Sequence, residues 1–135
     1  MKDPRRIVIP KEPHIICPST GKVREYCSAM IPLMVAGDTD ILHCLQAQNE
    51  RIRVINGYYN DGVFHAEYVL EDARRIENED SQNIIMENAV ARNEDSSVVV
   101  GFRLVIADGF ISQLDAFLVR GDEWPTTPLI PERIL

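Results

Sequence analysis

Basic residues are scarce in this sequence: 14 Lys and Arg stand against 21 Asp and Glu, a formal net charge of −7. Acidic residues lie throughout the chain, which excludes the broad basic face that a phosphate backbone requires, so nucleic acid is not an expected partner. Long apolar runs are missing as well. None approaches the ~20 residues of a membrane span, and Met1-Lys2-Asp3-Pro4-Arg5-Arg6 leads into only three apolar residues, too few for a secretory leader. No membrane partner is expected, and the cytoplasm is the expected compartment. Cysteine is limited to Cys17, Cys27 and Cys44, without a Cys-x-x-Cys spacing, so free thiols are expected rather than a disulfide framework. His14 and Cys17 supply at most half of a zinc site, and the remaining Cys and His spacings do not complete it, so neither a metal nor a cofactor is expected. What is present is ordinary for a folded protein. With 45% hydrophobic and 26% charged residues over 135 positions, the chain can build one core, and residues 1–135 read as a single domain.

Within it, residues 1–20 read as an extended arm, because Pro10, Pro13 and Pro18 punctuate its apolar runs and proline removes ladder donors. Ser19 or Thr20 can cap a first helix through Val23, Tyr26, Cys27 and Met30, which kinks or stops at Pro32 before Gly37 ends it. Asp38 or Thr39 can cap a second helix from 40 to about 48, with Ile41, Leu42 and Leu45 on one side and His43 turned to solvent. That placement removes the His43-Cys44 pair from consideration as a nucleophilic dyad. From residue 51 the period changes to two. Residues 51–59 and 63–70 predict a hairpin across Asn60-Asp61-Gly62, although Val63, Ala66, Val69, Ala73 and Ile76 also fit a helical stripe. The charged stretch 71–82 reads as a solvated strand end and loop. Residues 83–92, 97–107 and 110–119 predict an antiparallel meander, followed by a proline-rich tail over 120–135 that packs on the body or on a partner subunit.

A two-residue Asp108-Gly109 loop pairs Ala107 with Phe110 and, counted back, Leu104 with Gln113, Phe102 with Asp115 and Val100 with Phe117. The same count around residues 93–96 sets Glu87 beside Phe102, so two carboxylates flank one phenylalanine on an apolar wall. Desolvation there would suit Asp115 to moving a proton. A competing reading has this face turned to solvent or to a subunit interface, with Asp115 meeting an arginine. A bulge would shift the count and move these residues to the other face. Both faces are apolar, so one is expected under the helices and the other under a partner or the terminal arms. His65 alternates with Glu67 and can act as a base oriented by a carboxylate, though a structural role is the commoner fate of such a histidine. Tyr58 offers a phenol donor beside a turn.

The order of elements, with the Gly37-Asp38-Thr39-Asp40-Ile41-Leu42 junction and the closing Phe102-Arg103-Leu104-Val105-Ile106-Ala107-Asp108-Gly109-Phe110-Ile111 hairpin, resembles the nuclear-transport-factor-like superfamily. That superfamily includes SnoaL-like polyketide cyclases, steroid isomerases and limonene epoxide hydrolases. The resemblance covers residues 22–50 and 83–119. It implies an α+β fold in which N-terminal helices pack on a strongly curved, cone-like antiparallel sheet, with an apolar pocket between them and dimerisation through the back of the sheet. The family's catalytic positions fall on Met30, Val54 and Asn88-Ala89-Val90, so its known chemistries do not transfer. The resulting expectation is a cofactor-independent isomerase, cyclase or lyase for an apolar small molecule. Asp115, Glu87, His65 and Tyr58 are its candidate catalytic residues, and Phe102, Leu104, Gln113 and Phe117 its candidate ligand contacts. The alternative is a non-catalytic dimeric small-molecule-binding or assembly module, and a homodimer is expected in either case.

Overall fold

The computed structural model describes residues 30–60, 62–122 and 129–134. The proline-rich arm expected over 1–20, the start of the first helix, Cys17, Cys27 and Trp124 lie outside the described residues.

Helix α1 is described over residues 30–34 and continues through Pro32 rather than stopping there; the Val35 amide donates to the Ile31 carbonyl at 3.0 Å. Helix α2, Asp40–Asn49, begins at Thr39, whose Oγ1 accepts from the Leu42 amide at 3.2 Å. Asp40 in its first turn complements the positive end of the helix dipole. Leu45 and Gln48 are buried, whereas His43 faces solvent beside Asp38. The carbonyls at the end of α1 and in the α1–α2 link find side-chain donors from distant segments. Asn88 Nδ2 donates to Met34 O at 2.8 Å, Gln46 Nε2 to Val35 O and Gly37 O at 3.0 Å each, and Arg133 Nη1 to Ala36 O at 2.6 Å.

Six strands follow: β1 (Ile52–Asn60), β2 (Val63–Leu70), β3 (Ile84–Arg92), β4 (Val99–Ala107), β5 (Phe110–Arg120) and β6 (Ile130–Arg133). The ambiguous stretch after Gly62 is therefore a strand, and the second helical stripe is not used. The strands form one sheet in the order β1-β2-β5-β4-β3-β6, and neighbouring strands run antiparallel throughout. Among the described residues the fold is a small α+β arrangement, a curled, half-barrel antiparallel sheet with two α-helices. The tail contributes β6, which pairs with β3 and brings Leu129 to full burial.

Asp108 (φ 51°) and Gly109 (φ 84°) both occupy the left-handed region, as a type I′ two-residue turn requires. Ala107 pairs with Phe110 as the turn chemistry predicts. Beyond that point the expected register fails. Ile106 pairs with Ile111 but Val105 pairs with Gln113, so Ser112 is an extra residue and the partners from Val105 to Val100 move by one. Leu104 faces Leu114, Phe102 faces Ala116, Arg103 faces Asp115 and Gly101 faces Phe117. A second bulge, between Met86 and Ala89 of β3, likewise takes Glu87 away from Phe102.

The side of the sheet toward the helices is filled by Phe64, Ala66, Val100, Phe102, Leu104, Ile106 and Ala116 against Met30, Ile31, Met34 and Leu45, each at most 1% exposed. Phe102 and Leu104, expected opposite Asp115 and Gln113 respectively, are core residues on that side. The segment between β2 and β3 is less solvated than its charge suggests. Ile76 is buried, its amide donates to Gly109 O at 2.9 Å, and Gly109 N donates to Gln82 O at 2.8 Å. This loop thus wraps the β4–β5 turn.

Candidate functional site

The side of the sheet away from the helices carries a polar row across five strands. Tyr58 on β1 pairs with His65 on β2, His65 with Asp115 on β5, and Asp115 with Arg103 on β4. Glu87, at the β3 bulge, completes it through Arg103. Direct cross-strand partners share a face, and at ~4.8 Å per strand such a row is about 19 Å long.

Its centre is a dyad. His65 Nδ1 lies 2.7 Å from Asp115 Oδ1, and the two side chains are 18% and 6% exposed. Burying a carboxylate is costly unless donors replace its water. Asp115 has three neighbours in that role: His65, Gln113 Nε2 at 2.5 Å from the same Oδ1, and Arg103 Nη1 at 3.9 Å from Oδ2. Gln113 Nε2 also stands 3.2 Å from His65 Nδ1. Because the partner of Nδ1 is a carboxylate, Nδ1 carries the hydrogen of the neutral ring and Nε2 is its acceptor. Among the described residues, no group is hydrogen-bonded to Nε2. The Tyr58 ring is 5.0 Å from the His65 ring, centroid to centroid.

Tyr58 donates to Glu67, and that hydrogen bond to a carboxylate is the main reason its hydroxyl ionises above the ordinary tyrosine range. Loss of water and the negative charges of Glu67 and Asp115 act in the same direction. The proton held on Tyr58 stabilises the fold fully below the unfolded-state pKa of about 10. That contribution is lost as the pH rises through the higher folded-state value. Replacing Glu67 by Gln is expected to bring the Tyr58 titration back down toward the ordinary value, read as the phenolate absorbance against pH. An unchanged midpoint would place the cause elsewhere.

Arg103 spans the other half of the row. Its Nε is 3.5 Å from Glu87 Oε1, and its guanidinium lies 5.3 Å from the centre of the Phe117 ring. Two carboxylates flank one side chain, as the sequence suggests, but that side chain is Arg103 and not Phe102. Phe117 lies across Gly101 on the neighbouring strand. A Cβ built at Gly101 would come within 2.6 Å of Phe117 Cε2 and 2.9 Å of Val119 Cγ2. Gly101→Ala is therefore expected to push the ring off the strand, separate it from Arg103, and cost about 1–2 kcal/mol in thermal unfolding, in the range of overpacking. A variant as stable as the parent would show that the ring has room to move.

Of the residues singled out from the sequence, Asp115, His65, Gln113, Tyr58 and Phe117 meet on this face, and Glu87 joins them at its edge. Phe102 and Leu104 lie on the opposite side. Asp115 also does not face the helices, so the expected apolar wall around it is replaced by polar partners. The sequence does not single out Arg103 or the Tyr58–Glu67 contact as parts of the site, although the bulge alternative and the expectation that Asp115 could meet an arginine both point toward Arg103. The carboxylate that orients His65 is Asp115, across the sheet, rather than Glu67 two residues along. Elsewhere, a polar hollow lined by Glu50, Arg51, Ile52, Arg53, Glu71 and Asp72 opens at the far end of the β1–β2 hairpin. It contains only an exposed Arg53–Glu71 pair at 3.7 Å, and such pairs contribute little. No cluster of metal-ligating side chains occurs among the described residues, nor is any described helix long and apolar enough to cross a membrane. No family model matches the chain, and neither does any curated protein or solved structure.

Proposed function

We propose that this protein is a cofactor-independent isomerase, cyclase or lyase of the cytoplasm, acting by general acid–base chemistry on an apolar small molecule. In this reading the half-barrel is of the cone-like type, and the working surface is the sheet face away from the helices. The observation that carries it is the 2.7 Å His65–Asp115 hydrogen bond, which leaves Nε2 as the acceptor of a positioned imidazole. His65 takes the substrate proton, and Asp115 orients the ring and balances the imidazolium that forms. Gln113 holds Asp115, while the Tyr58 ring, 5.0 Å from the imidazole, flanks it one strand away with its hydroxyl hydrogen held by Glu67. Phe117 and the valines around it offer an apolar bed. Removal of a proton next to a carbonyl is the step common to these three reaction types, so the test is exchange of α-hydrogens of apolar ketones in D2O, followed by proton NMR. Exchange above the buffer rate that disappears in His65→Gln supports the proposal. Exchange at the buffer rate, or a His65→Gln protein as fast as the parent, overturns it.

A second reading, the non-catalytic dimeric binding or assembly module, draws on the exposed Ile85 (62%), Val119 (60%) and Val69 (42%). A six-stranded face of this length offers roughly 700 Å², close to one side of a standard interface. In that case the polar row is the buried centre of a homodimer contact.

A further inference from the structure

The last strand is lightly held. β6 lies at the edge of the sheet and pairs with β3, where Arg133, Glu132, Pro131 and Ile130 stand opposite Ala89, Val90, Ala91 and Arg92. The Ile134 amide donates to Asn88 O at 2.8 Å, and antiparallel alternation then makes Val90–Glu132 and Arg92–Ile130 the next hydrogen-bonded pairs. Pro131 falls between them, where its nitrogen points outward and no ladder donor is lost. Of the apolar side chains over 129–134, Leu129 and Pro131 are buried while Ile130 and Ile134 are exposed. The Arg92–Glu132 ion pair, at 2.8 Å, is 33% and 52% exposed, and pairs of that kind contribute little.

The seat beneath β6 is also incompletely satisfied. Asn88 Nδ2 and Arg133 Nη1 donate to Met34 O and Ala36 O at the end of α1, but Asn88 Oδ1 and Arg133 Nε are buried without a hydrogen-bond partner among the described residues. Each loses its water when the strand docks and gains no partner, so each is better solvated once the strand lifts. We propose that residues 129–134 form a releasable strap, which lifts off β3 as one unit while the other five strands stay folded, and which bares the edge of β3 beside the end of α1. An edge bared in this way is a template for pairing with an extended chain.

Amide hydrogen exchange of the full chain, followed residue by residue by NMR, tests the proposal, because neighbours on β3 point to opposite sides. Val90 and Arg92 face β6, whereas Ala91 faces Val100 of β4. Val90, Arg92, Glu132 and Ile134 are expected to exchange through one shared opening, at least about a hundredfold less protected than Ala91 and Val100. Ile111 is a core residue near the β4–β5 turn, away from β6. Ile111→Val is expected to speed exchange at Ala91 and Val100 by about fivefold and to leave the four strap amides unchanged. Strap amides as protected as Ala91, or accelerated by the same factor in Ile111→Val, would show that β6 opens only with the whole fold and would overturn the proposal. Unequal openings at Val90 and Arg92 would show fraying one residue at a time, and would overturn it as well.

Discussion

Gln48→Leu is expected to destabilise the protein by about 3–4 kcal/mol and to lower the melting temperature by roughly 10–15 °C. Gln48 is a polar residue at 1% exposure inside the core, and its amide holds three segments together. Nε2 donates to Arg74 O at 2.8 Å and to Gly109 O at 2.7 Å, while Oε1 accepts from the Ile111 amide at 2.8 Å. Leucine fits the volume but satisfies none of these groups. Gly109 O keeps its bond from Ile76, so the main losses are the Arg74 carbonyl, left with the weak Cys44 thiol at 3.5 Å, and the Ile111 amide. Each buried orphan costs on the order of 1–3 kcal/mol. Urea unfolding checks the value. A loss below about 1 kcal/mol would mean that water replaces the amide in all three contacts.

Asp115→Asn is expected to reduce ketone exchange by about a hundredfold or more while the protein stays folded. The substitution keeps the shape of the side chain, so the β2–β5 pairing around it survives. It changes what His65 Nδ1 faces. An asparagine can present its NH2 to Nδ1, which favours the ring with hydrogen on Nε2, and such a ring cannot accept a proton there. The loss of the negative charge also removes support for the imidazolium. Nitrogen NMR of the His65 ring separates this from simple disorder, since the hydrogen should be found on Nε2 in the variant and on Nδ1 in the parent. A variant that keeps both its rate and its Nδ1 hydrogen would show that Asp115 does not orient the ring.

The legible part of the molecule was local. Thr39 as a cap, the Asp108-Gly109 turn, and the alternating segments that pair from Asn60 with Val63 and from Ala107 with Phe110 appear where their chemistry places them. Gln48 was not legible as a core residue, because its partners belong to two loops 26 and 61 residues away. The site was half legible. The sequence points to Asp115, His65, Tyr58, Gln113 and Glu87 as candidates, but its turn arithmetic pairs Asp115 with Phe102, where the sheet pairs it with Arg103.

By itself the sequence determined the elements and their turns, because side-chain alternation and left-handed turn residues act over a few neighbouring positions. Only the tertiary structure decided which way Asp115 faces and what it meets. One extra residue at Ser112 reverses the pairing of the side chains from Gln113 to Leu118, and the pairing of β2 with β5 brings His65 to Asp115 across 50 residues. Neither leaves a local trace, since a bulge and a long-range pairing are chosen by how the whole sheet fits its core.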